Sequence, residues 1–238
     1  MAKGRFVDAG VLLGAVSMAC QEALRRPMYN TFGNEDCGGT PRWRSGLVLF
    51  PQFLVISGSC LVAAFSQRFS MKGWCLDCSK HGLGPAAGCA LYSFYAYLMT
   101  DLLYWYWIPE PPVIMRPLMV LHHVVCIAGT RYATSHCPSY ALPMYVGAIA
   151  SLEFGSGFSN LFHLFKETPI MLGYVRPSYF IGMCVSNAAG TYFLYAWSRA
   201  MRECKTHMLA FMIPVVISLI LIVMRQETVH RLAGPTGW

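Results

Sequence analysis

The feature that most constrains this chain is a succession of apolar runs, each near the length that crosses a bilayer. They fall at roughly residues 6–24, 46–66, 83–107, 116–133, 140–165, 178–198 and 207–224, and a helix needs about 20 residues to span the hydrocarbon. Inside lipid every backbone N–H and C=O must find a partner within the protein, which leaves helices and closed barrels. The runs lack the polar/apolar alternation of barrel strands. The expected fold is therefore all-α, a polytopic transmembrane helix bundle of about seven helices. Composition agrees: 55% of residues are hydrophobic and 12% charged, with a mean hydropathy of +0.44, far from a soluble globular domain.

The longest polar interval, about residues 25–45 and containing "RRPMYNTFGNEDCGGTPRWR", reads as a loop from its Gly, Pro and Arg. The chain then divides into residues 1–45, a first transmembrane helix with its loop, residues 46–226, the main transmembrane domain, and a short tail at 227–238. The N-terminal segment is too short for a transit peptide, and the first helix can serve as an uncleaved signal anchor. A net charge of +7 invites a nucleic-acid surface, but the 18 Lys and Arg are scattered through every loop. They read as membrane-flanking charge, and no nucleic-acid partner is expected. Alternate loops hold equal shares of them, so charge does not orient the bundle.

Of the 11 acidic residues, only Asp101 and Glu153 fall well inside expected spans, and ionisable groups at such depth are functional candidates. Asp101 lies about 9 Å from the end of its helix and His122 about 9 Å from the start of the next, on a rise of 1.5 Å per residue. The two helices are antiparallel across the short "IPEPPVIM" turn, so both residues share one level. The following helix carries "SLEFGSGFSNLFHLF", in which Glu153, Ser156 and Asn160 recur at helical spacing and descend toward that level. One polar cavity, opening toward the side of that turn, is the simplest arrangement. A carboxylate–imidazole pair that only locks helices together remains open. His123 points about 100° from His122, so one of the two faces another helix. His163, near a helix end, reads as interfacial.

The pieces "TDLLYWYW", "LHHVVCIAG" and "LEFGSGFSNLF" in consecutive helices resemble the TLC-domain family, whose best-known enzymes are ceramide synthases. The resemblance runs from about "PRWRSGLVLF" to the last helix. It implies that His122 and His123 match the family's membrane-embedded histidine pair, with Glu153 at the acidic position of the later "LE" motif. With Asp101 added from its depth, the candidate catalytic set is His122, His123, Asp101 and Glu153, with Tyr104, Ser156 and Asn160 as candidate substrate-binding residues. The departure is that ceramide synthases carry two aspartates before that "LE", where this chain reads "YVGAIASLE" with Tyr145, Val146, Ala148 and Ile149. The segment is closer to that of the small TLC-domain proteins linked to membrane lipid composition and trafficking.

Three functions stay open on these residues. One is acyl-CoA-dependent N-acyl transfer to a sphingoid-type amine, with acyl-CoA as co-substrate and no resident cofactor; a histidine and a nearby carboxylate supply the base and its orienting group. Another is a non-catalytic binder or regulator of membrane lipids. A third is a structural subunit, as homo-oligomer or in an organellar membrane complex, with "GVLLG" and "GPAAG" as close-packing faces. The resemblance implies the endoplasmic reticulum, a lumenal N-terminus and a cytosolic C-terminus. Di-iron and bis-histidine haem sites are not expected, because seven histidines include one adjacent pair. In the loops, Cys75, Cys78 and His81 with His136 and Cys137 leave zinc against a disulfide, and a lumenal location favours the disulfide.

Overall fold

The computed structural model describes residues 2–33, 42–50, 85–107, 116–136, 141–203 and 207–233. They form α1 (Ala2–Phe32), α2 (Arg42–Phe50), α3 (Pro85–Trp107), α4 (Arg116–His136), α5 (Leu142–Phe165), α6 (Pro169–Glu203) and α7 (Met208–Ala233). The described residues contain no strand, and the fold is all-α.

The apolar runs place α3, α4 and α5 closely, but α1, α6 and α7 outrun theirs, and α2 begins at Arg42, inside the interval expected as loop, with residues 51–66 of its run outside the described residues. Residues 25–32, expected as loop, continue α1 through Pro27. A proline inside a helix removes one hydrogen bond without always ending it. Here the Thr31 hydroxyl donates to the Pro27 carbonyl at 2.8 Å, and the helix stops at Gly33. That residue takes φ +72° and donates its N–H to Tyr29 O at 2.9 Å, a left-handed cap that glycine adopts without steric cost. Likewise α6 runs through Pro177, ahead of the expected start at 178, and α7 continues to Ala233 through residues expected as tail. One described segment, Phe211–Leu232, is long and apolar enough to cross a membrane on mean hydropathy. The expected spans in α3 to α6 carry Tyr, Trp, Ser and charged residues that lower theirs.

Helix α5 is the centre of the bundle, packed against α2, α3, α4 and α6, while α7 lies on α6 and α1 on α2 and α3. The α5–α6 hairpin is closed by a short turn in which Lys166 N–H donates to Phe162 O at 2.8 Å and Thr168 N–H to Phe165 O at 2.9 Å. Pro169 then opens α6, where a missing N–H goes unused. Glycines let the pair approach closely. Gly147 faces the Phe193 ring, Gly182 the Phe158 ring and Gly190 the Leu152 side chain, so each notch on one helix receives a large residue of the other. Apart from Leu12, which is exposed, the side chains of "GVLLG" lie outside the described residues, as do those of "GPAAG".

Two apolar clusters bracket the hairpin. Trp197, Leu194, Met201, Phe211 and Ala148 pack at one end, and Phe162, Tyr179, Met183, Val175 and Val229 at the other. The outer faces of α6 and α7 expose Ile181, Val185, Tyr192, Tyr195, Ile213, Ile220 and Val223.

Candidate functional site

Asp101 lies six residues before the end of α3, and it is 4% exposed. Its carboxylate takes two basic partners. Arg44 of α2 pairs with Oδ1, and His123 Nε2 of α4 lies 2.7 Å from Oδ2. Arg44 is 5% and His123 1% exposed. The imidazole beside Asp101 is thus His123, whereas matching depths alone pointed to His122. The rotation of α4 decides it: Leu121, Val124 and Val125 are exposed, which turns His123 inward and leaves His122 on the flank. The two rings meet edge to face, 5.5 Å between centroids. Tyr97 lies 6.1 Å from His123.

His122 lines a cavity of about 540 Å³ whose walls come from α2 to α7. Glu153, Ser156 and Asn160 line it too, as do Asp101 and His123. The backbone of Tyr104 is part of α3, but its side chain lies outside the described residues. Cys126, one turn from His122, brings its sulfur 3.7 Å from Nε2. The rest of the wall is largely apolar, with Phe94, Ile149, Leu152, Leu194, Leu221 and Ile222.

Two cavity residues, Arg44 and Arg225, were read in the sequence as membrane-flanking charge. Arg225 sits eight residues inside the end of α7, about 12 Å along the axis. It crosses α6 to reach α5. Nη2 donates to Leu152 O at 2.9 Å and lies 3.4 Å from Ser186 Oγ and 3.6 Å from Met183 Sδ. Nη1 lies 3.4 Å from Ser156 Oγ. Gly155 makes room for it: a methyl group there would collide with Ser186 Oγ and Arg225 Nη2. The segment "LEFGSG" is therefore a cradle for an arginine 70 residues later. One sequence signal existed, in that Val229 and Leu232 keep the helical apolar spacing past Arg225. Arg44 is flanked by Trp43 and Ser45, both buried, which only the fold shows.

These groups line one cavity. Arg42 Nε donates to Leu164 O at 2.7 Å, tying the start of α2 to the end of α5. No protein-family model, no curated protein and no solved structure matches the chain. Among the described residues no group of three or more His, Cys, Asp or Glu is placed to hold a metal. Cys20, Cys126 and Cys184 are free thiols; Cys75, Cys78, His81 and Cys137 lie outside the described residues, as does the side chain of His136.

Chemically, the cavity joins an imidazole at its wall, a carboxylate held by two bases, a second carboxylate and a guanidinium. Such a set can bind a polar headgroup and move a proton at His122. Its apolar wall suits an acyl chain.

Proposed function

We propose that this chain is a multi-pass membrane protein that takes an amphipathic lipid into the cavity, headgroup on the charged residues and chain along the apolar wall. The observation that carries this is one cavity combining Arg44, Asp101, His122, His123, Glu153 and Arg225 with a mainly apolar lining. Ionisable groups gathered inside a bundle of apolar exterior mark a ligand path, and the exposed Ile, Val and Tyr of α6 and α7 suit contact with lipid tails. The TLC-domain reading belongs to the same proposal, since each of the three pieces that carry the resemblance contributes cavity residues. Its membrane is then that of the endoplasmic reticulum.

Acyl transfer is a second reading, favoured by His122 facing the cavity rather than being locked in the Asp101 pair. In that reaction a lipid amine attacks the acyl-CoA thioester carbonyl. The C–N bond forms, the C–S bond breaks, and His122 takes the amine proton and returns it to the departing thiolate. Purified protein tests both. Mass spectrometry of co-extracted lipid should find an amphiphile that His122→Ala retains less well. Incubation with acyl-CoA and a sphingoid amine should yield amide only if transfer occurs. Protein that carries and rebinds no lipid would refute the proposal.

A further inference from the structure

A buried cation needs a counter-charge or a polar shell strong enough to replace water. Arg44 has Asp101. Arg225, partly buried, is different: its hydrogen-bond partners are Leu152 O, Ser156, Ser186 and Met183, all neutral, and its buried Nε has none. Among the described residues no carboxylate oxygen lies within ion-pair distance of it. Glu153 lines the same cavity. The cation is also held in place deliberately, by the notch at Gly155 and by acceptors from both α5 and α6. Nη1, with a single long contact to Ser156, keeps donor capacity on a cavity-lining residue.

We infer that Arg225 is the anion-binding group of this cavity, and that the ligand is an amphiphile whose headgroup presents an anionic oxygen, phosphate or carboxylate, to its guanidinium. The inference rests on the lipid-binding reading and narrows it. Guanidinium hydrogen bonds to such oxygens are charge-assisted and about twice as strong as neutral ones. Asn160 borders the same space, and its side-chain amide carries N–H donors for further headgroup oxygens. An apolar wall beside one cation selects for an anion with a chain attached.

The test uses the full chain, purified in a neutral detergent, with melting temperature followed against dihexanoyl phosphatidic acid, hexanoate-to-decanoate fatty acids, dihexanoylglycerol and inorganic phosphate. An anionic amphiphile of either kind should bind about tenfold or more tightly than dihexanoylglycerol, from one charge-assisted contact. Arg225→Gln should erase that preference and Arg225→Lys should keep part of it. Equal binding of dihexanoylglycerol and the anionic amphiphiles by the wild type would overturn the inference while leaving lipid binding intact. Saturation by inorganic phosphate at the same concentration would overturn the amphiphile assignment. Binding of none of the lipids would overturn both readings. Because the wild-type ranking decides the matter, a variant that fails to fold leaves the test in force.

Discussion

Replacing Asp101 by alanine should be among the most damaging single changes in the bundle. The carboxylate and its two partners are 4%, 5% and 1% exposed for Asp101, Arg44 and His123, so water cannot take its place. Asp101→Ala deprives two buried donors of one acceptor, and breaking a buried pair in this way costs about 3–5 kcal/mol. Arg44→Ala should cost less, about 2–3 kcal/mol for a buried group that loses a charged hydrogen bond, because the carboxylate keeps His123 at 2.7 Å. The double replacement Arg44→Met with Asp101→Leu removes both charges and fills the space. It should be less destabilising than Asp101→Ala alone, since an apolar substitute for a buried pair is often neutral. Unfolding by dodecyl sulfate in mixed micelles, read by tryptophan fluorescence, measures all three; Trp43 is 1% exposed and adjoins Arg44. A loss below about 1 kcal/mol for Asp101→Ala, or a double variant that loses the sum of the two singles, would show that the pair is not a buried ionic contact.

The two adjacent histidines should separate by assay: His123→Ala lowers stability by about 1.5–3 kcal/mol through its bond to Asp101, whereas His122→Ala changes unfolding little and weakens lipid retention. Equal loss of stability in both would put them in the same role. Gly147→Ala places a methyl 2.6 Å from the Phe193 ring and should destabilise by about 1–3 kcal/mol, with Phe193→Ala restoring much of the loss; an unchanged unfolding curve for Gly147→Ala would mean the α5–α6 contact is looser than described. Terminal tags tested for protease protection in sealed vesicles should lie on opposite sides of the membrane, and two tags on one side would end the seven-span reading.

The sequence by itself determined where the helices of the central bundle run and which of them carry polar groups at a common depth. Apolar runs and a fixed rise per residue are one-dimensional properties, and Asp101, His122, Glu153, Ser156 and Asn160 could be brought to one cavity on that ground alone. Helix ends were less legible: the apolar runs end the first helix at 24 and start the sixth at 178, whereas α1 runs on to a stop at Gly33, whose left-handed φ only the folded backbone reveals, and α6 starts at Pro169. What the tertiary structure alone decided is rotation and reach. Adjacent residues on a helix differ by about 100°, so choosing His123 over His122 as the partner of Asp101 required knowing which face of α4 meets α3. Arginine is long enough to sit at a helix end in sequence and deep in a bundle in space. Arg44 and Arg225 therefore passed for surface charge, and packing turned them inward: α2 against α5, and α7 across α6 onto the notch at Gly155.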